Sequence, residues 1–302
     1  MFWRFHRIVL SALSVLPGLI GLIGFALAGT VVAGECEQID DRPAWLFCDD
    51  FSAPPTSERY FSVDDADGVF VWQADRGVDN SGAMVASWEP GQVGAGNLQL
   101  LIGANPLAVP DIGSKLDRYQ ELYYRHYFWL APGWDGDPYK LSRVTMLTDD
   151  QWSQAMIAHI WSGNDQGRLA IDPVSCTTAV GELACQGYND FANMRWLGLH
   201  NGTTLVHRSE NSGRWHCIEA RVKLNDAGQS NGVQQFWLNG KLEASAEQLN
   251  FVGDFDEYGL NGLFIENWWN GGAPGVRTRI IDNLVVSTEP IGCLSLDDFI
   301  SH

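Results

Sequence analysis

Along most of the chain apolar and polar positions alternate with a period of two, and no stretch before Gly213 sustains a helical period. The clearest case is residues 213–240. There Ile218, Ala220, Val222 and Leu224 alternate with Cys217, Glu219, Arg221 and Lys223, which predicts a strand with one face on a core and the other toward solvent. Residues 225–232 are rich in Asn, Asp, Gly and Ser, the residues of chain reversal, and 233–238 predict the returning strand. Asn239-Gly240 closes it with the dipeptide that best tolerates positive φ at both hairpin positions.

The same reading places strands at 44–51, 69–74, 83–88, 97–103, 121–130, 140–147, 155–161, 168–171, 195–200, 204–207, 260–268 and 279–287, with loops at 52–67, 106–112, 131–139 and 176–190. Short strands separated by Gly, Asp and Asn clusters predict an all-β sandwich or barrel. In 121–130, Tyr123, Arg125, Tyr127 and Trp129 fall on one face and Leu122, Tyr124, His126, Phe128 and Leu130 on the other. With aromatic residues on both sides, one face is expected to pack a core and the other to line a cleft. Asn201-Gly202-Thr203 matches a glycosylation acceptor, but reads first as a hairpin turn.

The run Trp215-x-x-Ile218-Glu219-x-Arg221-Val222-Lys223-Leu224-Asn225, followed by a Gly-containing turn and Gly232-Val233-x-x-Phe236-Trp237-Leu238-Asn239-Gly240, resembles the back-sheet hairpin of concanavalin A-like jelly rolls. It is most similar to the polysaccharide-lyase branch that includes alginate-lyase-like proteins. Residues 121–144 resemble that branch's long strand and its Lys-Leu turn, although Ser142-Arg143 stands where the branch has Pro-Gly. Residues 266–292 resemble its closing strand. The resemblance spans 47–294 and implies a jelly-roll β-sandwich of two antiparallel sheets, with a concave face that binds glycans.

The 302 residues carry a formal net charge of −18. That length fits one large sandwich, and the acidic balance excludes a nucleic-acid partner. Arg4, His6 and Arg7 precede residues 8–34, which carry no charge, so 1–34 read as a signal peptide cut after Ala28 or Ala33, or as a retained membrane anchor. Residues 35–294 are then the sandwich and 295–302 a tail. The expected location is secreted or periplasmic, and the expected state monomeric. All six cysteines lie beyond the leader, and an even count in an exported chain implies disulfides whose connectivity the sequence leaves open. Short separations favour Cys36 with Cys48 and Cys176 with Cys185, leaving Cys217 with Cys293.

Sugar rings stack on flat aromatic surfaces, and Trp129, Trp134, Trp161, Trp268 and Trp269 are candidate platforms or, individually, core residues. Because neighbouring strand residues face opposite ways, one of Trp268 and Trp269 should leave the core. A uronate lyase must offset its substrate's carboxylate, remove the adjacent proton and protonate the leaving oxygen. On the strands read above, Arg125 is the expected carboxylate clamp, His159 or Lys140 the base and Tyr127 the acid, with Arg143 and the tryptophans on the substrate, all converging on one face. The structural alternatives are an ion pair of Arg125 with Glu121 or Glu219, solvated Lys140 and Arg143, and a core His159. A retaining hydrolase needs two carboxyl groups about 5 Å apart, and the Glu-x-Asp-x-Glu pattern that would supply them is missing. No cofactor is required. Asp254 and Asp256 read as turn formers or a loop calcium site, and the resemblance implies a structural calcium at Asp49, Asp50 and Asp282. A polysaccharide lyase acting on a uronate polymer by β-elimination is thus the first functional expectation, with a non-catalytic carbohydrate-binding module and a structural envelope protein as alternatives.

Overall fold

Asn239 and Gly240 both adopt positive φ, 51° and 78°, so the chain turns straight back into a strand that the sequence pattern does not announce. The computed structural model describes residues 34–78, 80–107, 111–162 and 167–294. The tail at 295–302 and all but the last residue of the expected leader lie outside them. Among the described residues no helix is long and apolar enough to cross a membrane.

Two stacked sheets form the molecule. The first runs β15 (Lys241–Leu249), β14 (Gly232–Leu238), β13 (Trp215–Lys223), β7 (Glu121–Leu130), β17 (Arg277–Ser287), β4 (Ala83–Trp88) and β3 (Phe70–Gln73), with β1 (Trp45–Asp49) also on β17. The second runs β11 (Arg195–Trp196), β10 (Leu169–Ser175), β9 (Gln154–Ser162), β8 (Lys140–Leu147), β16 (Gly262–Trp268), β5 (Gly94–Ile102) and β2 (Ser62–Asp64). Here β12 (His200–Asn201) adds to β10, and β6 (Asp111–Ile112) pairs with β5 in parallel, while every other ladder is antiparallel. This is the expected jelly-roll sandwich. The segment 204–207, expected as a strand, is a turn instead.

The alternation in β13 and β7 sets the core. Leu122, Tyr124, Phe128 and Leu130 join Ile218, Ala220 and Val222 against Val144, Met146, Ala158 and Ile160 of the facing sheet. Full burial of each large apolar side chain contributes about 2 kcal/mol. His126 shares that inner face, between Tyr124 and Phe128, with neither ring nitrogen partnered. Burial lowers its pKa to about 3, so it is a neutral ring packed as an aromatic.

Over Arg125, Tyr127 and Glu219 the outer face of the first sheet is covered, which corrects the cleft expected there. Cys36–Cys48 ties a 3-10 helix at Glu35–Asp41 to β1, and Cys217–Cys293 ties the last described residues to β13. Between them Arg125, 1 % exposed, pairs with both carboxylate oxygens of Glu35. Tyr127 is fully buried, and its hydroxyl accepts the Leu294 N–H at 2.6 Å. Glu219 accepts the N–H groups of Ile291 and Gly292 at 2.7 and 3.1 Å. The third pair, Cys176–Cys185, closes the loop after β10, so all three expected pairings are present.

Candidate functional site

The outer face of the second sheet carries the open constellation. Lys140 stands opposite Trp161 of β9 on one side and Trp268 of β16 on the other, a row of tryptophan, lysine and tryptophan across three strands. Directly opposed strand residues are close neighbours. Bulges in both ladders, between Lys140 and Ser142 and between Ile265 and Trp268, let Lys140 and Arg143 share this face while Leu141 turns into the core. Gly94 lies opposite Trp268, and a Cβ built there would come within 3.2 Å of the indole. Absence of a side chain therefore lets that ring lie flat, with Lys140 Nζ 5.2 Å from its centroid.

Below this row, Asp172, His159, Arg143 and Phe264 align across β10, β9, β8 and β16. Arg143 is fully buried and donates to Asn189 Oδ1 at 2.9 Å and Glu266 Oε1 at 3.2 Å, with Tyr188 and Phe264 rings 4.7 and 5.1 Å from its guanidinium. Tyr188 and Asn189 follow the Cys176–Cys185 loop, whose cysteines pack with Ile157, Val174 and Met194 on this face. Lys140 Nζ is 3.5 Å from the same Glu266 oxygen. Two cations thus share one carboxylate. Burial pulls the Lys140 ammonium below the usual lysine range; Glu266 opposes this and Arg143 reinforces it.

His159 is buried. Its Nδ1 donates to the Asp172 carbonyl oxygen at 3.2 Å, and its ring stacks 4.5 Å from Trp161 and 6.0 Å from Trp196. Burial and the Arg143 charge lower its pKa to about 3. It is a neutral platform member and a weak base. Trp161 and Trp196 stack at 5.6 Å, with Tyr139 edge-on to Trp161 at 6.1 Å. Together with Asp172 these rings border a depression of about 250 Å³. Burial lifts the Asp172 carboxyl to about 6. On the Trp268 side, Asp64, Asn97 and Glu266 border a second depression of about 210 Å³. Ser162, His207 and Asp137 also lie together, but Ser162 Oγ and Asp137 Oδ1 both approach the same Nδ1 of His207, at 3.3 and 3.7 Å. That arrangement cannot relay a proton from serine to acid.

The face is positioned from inside the sandwich. Arg279 of β17 points into the core and donates from Nη1 to the carbonyl oxygens of Lys140 and Glu266 at 3.4 and 3.2 Å, and to Asn267 Oδ1 at 3.3 Å. It is fully buried, stacks on Trp88, and burial lowers its pKa to about 9.

The expected convergence is therefore divided between two surfaces. Lys140, Arg143, His159, Trp161 and Trp268 come together. Arg125 and Tyr127 belong to the other sheet, under the terminal segments, and cannot serve as clamp and acid here. Trp129 is on that far face too, against Ala83, Val85 and Ile280. Trp269 and Trp134 are core residues packed with Trp88, whereas Trp268 is 42 % exposed. Asp172, Tyr188, Asn189, Trp196, Glu266 and Arg279 complete the site without a sequence motif to mark them. Among the described residues no cluster of three or more His, Cys, Asp or Glu is arranged to hold a metal. Asp49 accepts from Tyr60 and from the Phe51 N–H, and Asp282 accepts from Val78 and Asn283 N–H groups.

The polysaccharide lyase 14 family profile matches residues 204–279, from the turn before β13 into β17. No curated protein matches the sequence at a significant level. Among solved structures, the marine PL-14 alginate lyase from Aplysia kurodai is similar at 12% identity over 81% of this chain and 99% of its own, with a TM-score of 0.51. The alginate lyase vAL-1 from Chlorella virus aligns at 10% identity over 76% and 100%, TM-score 0.49. The endo-β-1,4-glucuronan lyase from the fungus Trichoderma reesei aligns at 14% over 82% and 92%, TM-score 0.45. The sandwich thus shares its fold with the Aplysia enzyme, and the stretch that matches the lyase 14 profile runs through its main hairpin and into its closing strand.

Proposed function

We propose that the protein is an exported lyase that cleaves a uronate-containing polysaccharide by β-elimination on the outer face of the second sheet. The observation that carries this reading is Lys140, a partly exposed amine with a depressed pKa, held between two tryptophans and beside a buried guanidinium. A sugar ring over Lys140 stacks against Trp161 or Trp268. Lys140 is a cation while the polymer docks, and its unprotonated form, favoured by burial, takes the C5 proton of the uronate; the C5–H electron pair becomes the C4–C5 double bond as the C4–O bond breaks. The departing oxygen takes a proton from the lysine ammonium so formed or from Tyr139 or Tyr188, the exposed phenols bordering the row. The Arg143 charge stabilises the extra negative charge on the carboxylate as the proton leaves. The three disulfides support an oxidising, extracytoplasmic compartment.

A carbohydrate-binding module without turnover is the second reading, favoured by the fact that Glu266 already engages both cations. Incubation with alginate, glucuronan and neutral glucans, following ultraviolet absorbance of the unsaturated uronate, separates the two. Product from a uronate polymer that disappears in Lys140→Ala fits the lyase. Glycan retention with no product from any uronate polymer would leave the binding module.

A further inference from the structure

The charges on the open face are graded. At its centre Lys140 and Arg143 face a single carboxylate, Glu266, so this point can accept one more negative charge. Its flanks have the opposite character. On the Trp161 side the Asp172 carboxylate, 9 % exposed, has no hydrogen-bond or ion-pair partner among the described residues, and the imidazole opposite it in register is neutral. On the Trp268 side lie Asp64 and two buried acceptors without partners, Asn97 Oδ1 and Glu266 Oε2. Buried polar atoms without partners are uncommon and call for a ligand or water that satisfies them.

Acceptors of this kind take hydroxyl donors. A uronate and a neutral sugar both bring ring hydroxyls and an apolar ring face to Trp161, Trp196 or Trp268, but the uronate's carboxylate offers no donor at neutral pH and would meet like charge in either depression. Only the centre suits a uronate. We infer that the polymer this face takes carries its uronates singly, each flanked by neutral sugars, with the uronate over Lys140 and the neutral residues in the two depressions. A continuous polyuronate would place a charge beside Asp172 or Asp64 at every binding register. The inference rests on the lyase reading for the identity of the central sugar, and on the flanking acceptors alone for its neighbours.

The test compares deacylated gellan and hyaluronan, whose uronates are separated by neutral sugars, with alginate and glucuronan, which are uronate throughout. Unsaturated product should form at least about tenfold faster from gellan or hyaluronan than from alginate, and Asp172→Asn or Asp64→Asn, each nearly isosteric, should narrow that ratio by raising the alginate rate. Alginate or glucuronan cleaved as fast as the mixed polymers, with the ratio unmoved by either substitution, overturns the inference and leaves the lyase reading standing. If no polymer yields product, electrophoresis through gels containing each polymer decides. Retardation by gellan but not alginate, lost in Trp196→Ala, upholds the flanking sites while the lyase reading falls; equal retardation by alginate, or none by gellan, overturns the inference.

Discussion

Arg279 on one sheet donates a hydrogen bond to the backbone oxygen of Lys140 on the other, Nη1 to O at 3.4 Å, through the middle of the sandwich. The same nitrogen reaches the Glu266 carbonyl, so one side chain fastens both strands where they bulge beneath the open row. A fully buried guanidinium whose partners among the described residues carry no charge is costly to desolvate. Its place is understandable if it fixes a local backbone shape that an apolar side chain would not.

Arg279→Met tests that role. The buried charge disappears and a chain of similar length fills the space, so stability should change by no more than about 1 kcal/mol in either direction. Product formation should fall by about tenfold or more, because a small misplacement of a catalytic group is expensive. Urea unfolding beside initial rates checks both, and a variant that keeps full activity would remove Arg279 as a positioning residue.

Glu266 offsets both cations of the face, and its loss separates their roles. In Glu266→Gln, burial and Arg143 still lower the Lys140 pKa while the opposing carboxylate is gone, so the pKa falls further. A base must be unprotonated to act, and activity therefore rises with pH up to that pKa. The rise in the pH–rate profile should move to lower pH in the variant. Stability should drop by about 3 kcal/mol, because buried Arg143 loses its only charged partner among the described residues. An unmoved profile would mean that another group is the base.

Much of the fold is legible because alternation survives wherever a strand has one wet and one dry side. The predicted bounds of 83–88, 121–130 and 140–147 coincide with β4, β7 and β8. Strand β15 escapes because it is an edge strand of Ala and Glu with an exposed Leu242 and a buried Glu243, which inverts the expected burial. The site was half legible: alternation groups Lys140, Arg143, His159, Trp161 and Trp268, but cannot say which face of β7 stays open. That depends on Glu35 and on residues 291–294, which reach Arg125, Tyr127 and Glu219 across long separations in sequence. Asp172, Tyr188 and Asn189 join the site the same way, through register and a loop.

Arg125 gives the direct comparison between the two faces. Arg125→Leu leaves Glu35 buried beneath the terminal segment without its cation, and removing one partner of a buried pair costs about 3 kcal/mol. The open face is untouched, so the rate per folded molecule should match the parent at a temperature where both are folded. Thermal unfolding with initial rates checks this. A large loss of rate at unchanged stability would return Arg125 to the reacting centre.

The last relationship governs behaviour in acid. Glu243, whose side chain is 1 % exposed, accepts hydrogen bonds from the Thr204 hydroxyl at 2.7 Å and N–H at 2.8 Å, from the Thr203 hydroxyl at 2.8 Å and N–H, and pairs with Lys241 at 3.2 Å. Burial alone would raise its pKa. The Thr204 and Thr203 hydroxyls and both backbone N–H groups outweigh it and bring the pKa down to about 2, from an ordinary 4.5. A carboxylate depressed in the folded state contributes stability that is fully present above its unfolded pKa and is lost as pH falls through its folded one. Glu243→Gln keeps the shape and removes the charge. It should cost about 2 kcal/mol at neutral pH, with the gap to the parent closing as pH drops below about 4.5 and nearly gone at about 2. Urea midpoints taken across that range are the measurement; a gap that stays constant with pH would show that the threonine contacts do not depend on the carboxylate charge.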